Sequence, residues 1–131
     1  MTSASPLLDL GDESFVSLTT FRRSGARVST PVWILRDGDA LIVTTPVESG
    51  KVKRLRNSSA VELAPCTRMG KVDESAPVVA ASAEILDDPA DVERYGELFL
   101  AKYRLEYRIF MWIERRGKSG QARRVMLRIT A

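Results

Sequence analysis

The first half of the chain alternates short runs of strand-forming residues with turn residues, which predicts an antiparallel β-sheet. A short helical turn over Leu7–Ser14 precedes it. Three strands follow, identified by their β-branched and aromatic residues: Phe15–Arg23, Ala26–Leu35 and Ala40–Thr45. Ser24-Gly25 and Asp37-Gly38 supply the turns between them. We expect the three strands to form a meander.

The run Val32-Trp33-Ile34-Leu35 is apolar at every position. An apolar run of this length predicts a strand that is buried on both faces, as inside a barrel or under a helix. Trp33 is therefore expected in the core.

The second half of the chain mixes helices with further strands. Helices are predicted over Ser49–Ser58 and from Asp87-Asp88-Pro89 to about Tyr103. Four more strands are predicted: Ala60–Thr67, Val78–Leu86, Arg108–Glu114 and Ala122–Thr130. The last two are expected to form a hairpin around Gly117 and Gly120.

Seven strands, two or three short helices and no βαβ alternation define a mainly-β protein. A small antiparallel barrel is the simplest closure, because it removes the exposed edges of the sheet. The 131 residues suit a single domain over 1–131, with residues 1–6 as a flexible terminus. No stretch approaches the roughly 20 apolar residues of a membrane span, so we expect no membrane contact and a cytoplasmic location.

Histidine is absent and Cys66 is the only cysteine. These two facts exclude a Ser-His-Asp triad, a Cys-His dyad, a histidine base and the usual zinc sites. Cys66 is expected to be a small buried hydrophobe rather than a nucleophile. If the chain is an enzyme, a bound cofactor carries the reaction.

The strand ending at Thr44-Thr45 breaks at Pro46 and restarts as a basic helix. Ser49 can cap that helix, Gly50 lets a ligand approach the backbone, and Lys51 adds a full positive charge. This pattern predicts a phosphate site, although a capped surface helix with solvated charge has the same residues.

Two residues compete as the second basic contact of this site. Arg54 lies three positions after Lys51, on the same helix face, whereas Lys53 points elsewhere. Nucleic acid is not expected as a partner, because no helix-turn-helix, zinc finger or RNP-like stretch accompanies the basic residues.

Several motifs of this chain, in order and spacing, resemble those of the flavin/deazaflavin oxidoreductases. The stretches that carry the resemblance are Thr19-Thr20-Phe21-Arg22-Arg23, Val28-Ser29-Thr30-Pro31-Val32-Trp33, Ser49-Gly50-Lys51-Val52-Lys53-Arg54-Leu55-Arg56 and Leu63-Ala64-Pro65-Cys66. The likeness covers about Leu8 to Thr130. It is greatest to the branch that is related to pyridoxamine-phosphate oxidase and described as probably dependent on coenzyme F-420.

The resemblance implies an FMN-binding split β-barrel that forms a homodimer, with the cofactor in a groove between the subunits. Ser49, Lys51 and Lys53 match the family's phosphate-binding stretch, and Thr30-Pro31-Val32 matches the strand beside the ring. Thr44 and Thr45 match positions that line the groove. Trp112 is a weaker match for its other wall.

Several of these residues have a plain structural alternative. Pro31 is also what an edge strand or a bulge would carry. The aromatic residues Tyr103, Tyr107, Phe110 and Trp112 can pack in the core or a dimer interface instead of covering a cofactor. The late basic residues Arg115, Arg116, Lys118, Arg123 and Arg124 form either a solvated turn or a contact for the acidic tail of F-420.

The resemblance implies an F-420-dependent oxidoreductase that transfers a hydride between the cofactor and a small organic substrate. One alternative is a reductase or oxidase of the same fold that uses FMN. Another is a non-catalytic protein that binds or carries the cofactor, which the absence of histidine makes credible.

Overall fold

Seven strands and three α-helices make up the described part of the chain. The structure is a computed structural model that describes residues 6–116 and 123–131, with the backbone alone over 105–116. The helices are α1 (Pro6–Asp9), α2 (Gly50–Leu55) and α3 (Pro89–Arg116), with a 3₁₀ turn at Leu10–Asp12. The strands are β1 (Val16–Phe21), β2 (Arg27–Val32), β3 (Ile34–Asp37), β4 (Ala40–Pro46), β5 (Ala60–Pro65), β6 (Val79–Leu86) and β7 (Arg124–Thr130).

The strands form one curled antiparallel sheet in the order β2-β1-β5-β6-β7-β4-β3. Its two end strands, β2 and β3, are separated in the chain by Trp33 alone. The Cα atoms of Val32 and Ile34 can therefore be no more than about 7 Å apart. The sheet must curl until its first and last strands meet at this residue, which makes it the half-barrel of a mainly-β fold.

Both antiparallel pairings of the expected three-strand meander are confirmed, but its middle strand is not continuous. The predicted strand Ala26–Leu35 is divided at Trp33, so that β2 pairs with β1 at one end of the sheet and β3 pairs with β4 at the other. The physical reason lies in α3, which supplies partners for the backbone of Ile34 at the crossing point. The Ile34 amide donates to the Tyr103 hydroxyl at 3.0 Å, and the Ile34 carbonyl accepts from Lys102 Nζ at 2.6 Å.

Burial on both faces of the Val32–Leu35 run is confirmed. Val32 and Ile34 point into the barrel core, which the alternate residues of the surrounding strands also fill. Trp33 and Leu35 point outward into a second cluster under α3. There the Trp33 ring stacks on Tyr103 with 4.9 Å between centroids.

Helix α3 has one break in its backbone, at Arg104 (φ 48°, ψ −119°). The break falls where the helix was predicted to end, near Tyr103. The strand predicted over Arg108–Glu114 is wrong, because the backbone there is helical to Arg116. A short apolar run such as Ile109–Ile113 satisfies a buried strand and a helix equally, and the preceding Leu105-Glu106 favours helix.

The other local predictions agree with the structure to within a few residues. The helical turn near the N-terminus, both β-hairpin turns, α2, β5 and β6 are all present. Gly25 and Gly38 take positive φ values of 92° and 62°, as their turns require. Residues 1–5 of the expected flexible terminus and residues 117–122 of the expected last hairpin lie outside the described residues. No helix in the described ranges has the length and apolar character needed to span a membrane.

We expect Tyr103→Phe to lower the free energy of unfolding by about 1–3 kcal/mol, because it leaves the buried Ile34 amide without its hydroxyl partner. Urea denaturation measures the loss. Tyr95→Phe is the matched control, since its hydroxyl bonds the part-exposed Asp37 carboxylate, which water can solvate after the change. An equal loss in both variants would contradict a special role for the Ile34 contact.

Candidate active site

The start of α2 is fixed by side chains from two elements. Ser49 is the N-cap, and its Oγ accepts from the Val52 amide at 3.4 Å. The same Oγ accepts from Thr45 Oγ1 at 3.1 Å, which ties α2 to the end of β4. Because Ser49 accepts both bonds, its own hydroxyl proton is available to a further acceptor. The helix has only six residues, so side chains must supply most of the positive charge at this site.

The structure separates the two candidates for the second basic contact. Lys53 is exposed, whereas Arg54 is half-buried and folds back toward the start of α2. Arg54 Nε donates to Thr20 Oγ1 on β1 at 2.6 Å. A Cβ atom added to Gly50 would lie 2.7 Å from Arg54 Nη1, so the guanidinium lies directly against Gly50.

Lys51 lies in a positively charged environment. Burial and the charges of Arg54 and Arg124 all lower the pKa of its amine. Burial and the charge of Arg22 likewise lower the pKa of the Arg54 guanidinium. Arg124 is 9% exposed, and its Nε donates to Thr44 Oγ1 at 2.9 Å. Four basic side chains, two on α2, one on β7 and one directly after β1, thus influence one region.

Ion pairs of the described side chains elsewhere in the fold join Arg27 to Glu62, and Arg94 to the carboxylates of Asp37 and Asp91. Within the described residues no carboxylate pairs with Lys51 or Arg54. A counter-ion stabilises half-buried cations of this kind, and phosphate is an anion whose oxygens match their donors. The side chains at the start of α2 therefore fit the phosphate of a cofactor.

Thr30, Pro31 and Val32 lie on β2, the end strand of the sheet. Val32 is buried in the core, while Pro31 is exposed and packs near Gly70, whose added Cβ would lie 3.3 Å from Pro31 Cδ. The edge position of Pro31 agrees with its plain structural interpretation. Thr30 Oγ1 is buried without a hydrogen-bond partner among the described residues, which leaves it able to bond a polar ligand.

Thr44 and Thr45 occupy successive positions of β4 and so point to opposite faces of the sheet. Thr45 contacts Ser49 on one face, and Thr44 contacts Arg124 on the other. Trp112, Tyr107 and Phe110 lie on the second part of α3, where the side chains are outside the described residues. Lys118 also lies outside them.

Two residues near the site, Thr20 and Arg22, were not singled out as site residues from the sequence. Arg124 was considered only among the late basic residues, as part of a solvated turn or as a contact for the acidic tail of F-420. The inward positions of β1 are Val16, Leu18 and Thr20, so a polar residue in an otherwise apolar alternation was the signal for Thr20. Arg124 had no comparable signal. It comes beside α2 because β7 pairs with β4 and sets Arg124 opposite Pro46, a contact between distant segments.

No family profile and no curated protein sequence matches the chain. Solved structures do match. A Listeria innocua protein proposed to be a pyridoxamine 5'-phosphate oxidase aligns with a TM-score of 0.62 and 16% identity, over 92% of this chain and 86% of that one. A protein described as an F420 reductase aligns with a TM-score of 0.62 and 17% identity, over 98% and 94%. An FAD-binding protein of Mesorhizobium loti aligns with a TM-score of 0.62 and 16% identity, over 92% and 81%.

These similarities establish the fold. The chain has the split-barrel fold of these structures, two of which are described as a proposed pyridoxamine 5'-phosphate oxidase and an F420 reductase. At identities of 16–17% the alignments carry no residue roles from those proteins to this one.

We expect Lys51→Met to make the ligand-free protein more stable at neutral pH, because it removes a charge that burial and neighbouring cations disfavour. The folded state binds the Lys51 proton less tightly than the unfolded state does. The gain is therefore complete below the lowered pKa and shrinks as the pH rises toward about 10.4, the ordinary lysine value.

Urea denaturation at several pH values measures this effect. Lys53→Met is the control, since Lys53 is exposed on the same helix. If Lys51→Met is no more stable than the unsubstituted protein at pH 7, the Lys51 charge does not destabilise the ligand-free protein and the prediction is wrong.

Proposed function

We propose that the chain is an F-420-dependent oxidoreductase that transfers a hydride between the deazaflavin and a small organic substrate. The observation that carries the proposal is the pair of half-buried cations Lys51 and Arg54, for which the described residues supply no carboxylate partner. The split-barrel fold and the similar structure described as an F420 reductase support the choice of cofactor. When bound, the cofactor supplies the redox chemistry.

Lys51, Arg54 and the Ser49 hydroxyl would hold the phosphate of the cofactor. Arg54 is preferred to Lys53 here, because Arg54 lies beside Lys51 and Gly50 whereas Lys53 is exposed. The charge of Arg124 would add to theirs.

Thr30, Pro31 and Val32 would lie beside the ring, with Thr30 Oγ1 as a polar contact that the described part of the protein leaves unused. Thr45 would line the same groove beside Ser49, whereas Thr44, on the opposite face of β4, would act through its bond to Arg124. A second subunit would close that groove in a homodimer, and Trp112 would form part of its other wall. No side chain is assigned as an acid or base, since histidine is absent from the sequence.

FMN in the same site is the alternative. The FAD-binding protein among the similar structures supports a flavin as strongly as the F420 reductase supports a deazaflavin, because the two align equally well. Titration of the purified protein with F-420 and with FMN, followed by fluorescence, separates the two. We expect the lower Kd for F-420. A lower Kd for FMN would replace the deazaflavin by a flavin in the proposal, and binding of neither would overturn it.

We expect Lys51→Met to raise the Kd for the bound cofactor about 10- to 150-fold, because a charge-assisted phosphate contact is worth about 1.5–3 kcal/mol. The same titration measures the change. Lys53→Met carries the same substitution on the exposed side of α2 and should leave the Kd within about twofold, a shift of only ~0.4 kcal/mol. A larger effect from Lys53 than from Lys51 would reverse the assignment.

An enzyme and a cofactor carrier differ in turnover. An enzyme should catalyse many turnovers when it is mixed with excess reduced F-420 and a panel of small unsaturated or carbonyl compounds. The rising absorbance of oxidised F-420 measures that turnover. Tight binding without turnover on any acceptor would favour the carrier.

A further inference from the structure

The Arg54 side chain is held by contacts with two different elements. Its Nε donates to Thr20 Oγ1 at 2.6 Å, and Thr20 is fully buried on the inner face of β1. Beyond Nε, the guanidinium lies over the first residue of α2. A Cβ atom on Gly50 would lie 2.7 Å from Nη1 and 3.3 Å from both Cζ and Nη2.

We propose that Thr20 and Gly50 are positioning residues, which aim the two Nη groups of Arg54 at the anion that Lys51 binds. They would make the site select a phosphorylated flavin or deazaflavin over the same molecule without its phosphate. The choice of flavin rests on the proposed function, whereas the positioning of Arg54 does not.

Thr20 holds the Arg54 guanidinium through Nε and leaves the two Nη groups for a ligand. An arginine side chain has five N–H donors, and Thr20 takes the one on Nε. The four donors on Nη1 and Nη2 have no acceptor among the described residues. Those four form the fork that binds two oxygens of one phosphate.

Gly50 provides space rather than an unusual backbone conformation. It begins α2, and it is not among the glycines with positive φ, which are Gly25, Gly38 and Gly70. Any residue could adopt its conformation, but a Cβ atom there would occupy the place of the guanidinium. Alanine is therefore compatible with the helix and incompatible with the observed Arg54 position.

The substitutions that test this are Thr20→Val, Thr20→Ser and Gly50→Ala. Valine keeps the shape of threonine and removes the acceptor, whereas serine keeps the acceptor. Gly50→Ala should leave the unfolding midpoint equal or higher, because alanine is the better helix former. Arg56→Gln is the control for general charge, since Arg56 is an exposed cation at the end of the same helix.

The first measurement is the thermal stabilisation of each protein by inorganic phosphate, compared with chloride at equal ionic strength. We expect a specific phosphate shift in the unsubstituted protein, Thr20→Ser and Arg56→Gln, and a reduced shift in Thr20→Val and Gly50→Ala. Equal shifts in all five proteins, or no specific shift in the unsubstituted one, would overturn the positioning role whatever the cofactor is.

The second measurement compares the Kd for a cofactor with the Kd for its form without phosphate: FMN with riboflavin, or F-420 with the ribityl deazaflavin that lacks both the phosphate and the acidic tail attached to it. Thr20→Val and Gly50→Ala should weaken the phosphorylated form about tenfold or more and change the other form less than about twofold. Equal losses for both forms would show a merely structural role and overturn the inference. If phosphate stabilises the protein as expected but neither flavin binds, the positioning role stands and the proposed function fails.

Discussion

The passage of one strand between the two ends of the sheet is the constraint on which the rest of the structure depends. Trp33 alone joins β2 to β3, the two end strands of the sheet, so the sheet cannot be flat. The passage leaves the backbone of Ile34 to be satisfied by α3, and the Tyr103 hydroxyl and the Lys102 ammonium do so. The closed sheet and the docked first part of α3 are therefore parts of one arrangement, because each completes the hydrogen bonds of the other.

The candidate site depends on the same closure. In the order of the sheet, four inter-strand steps separate β1 from β4, which would place them about 19 Å apart in a flat sheet. Helix α2 is only about 9 Å long. It nevertheless bonds to both strands, through Arg54 to Thr20 and through Ser49 to Thr45. The cations can converge only because curling brings the ends of β1, β4 and β7 around this short helix.

Local signals in the sequence predicted the hairpin turns, α2, β5 and β6, because turn residues, caps and alternation act within a few positions. The order of the strands could not be predicted in this way, since it depends on Ile34 meeting Tyr103, which is 69 residues away. The Arg108–Glu114 segment was predicted as a strand although it is helical, because a short apolar run fits the periodicity of a buried strand and of a helix equally. At the site, Ser49 and Lys51 were identified from sequence, as was Arg54 as one of two alternatives. Arg124 was considered only as a turn residue or as a contact for the acidic tail of F-420, because its place beside α2 comes from strand pairing.

The one-residue connection at Trp33 also limits how the gene can change. Inserting or deleting a residue there would reverse the alternation, turning Ile34 outward and Trp33 into the barrel. Residues 71–78, between β5 and β6, carry no such restriction, for they are largely exposed and their bonds, such as Ala76 to Asp73, are local. In the descent of this protein, changes of length should therefore accumulate between residues 71 and 78, while the one-residue spacing between Val32 and Ile34 stays constant.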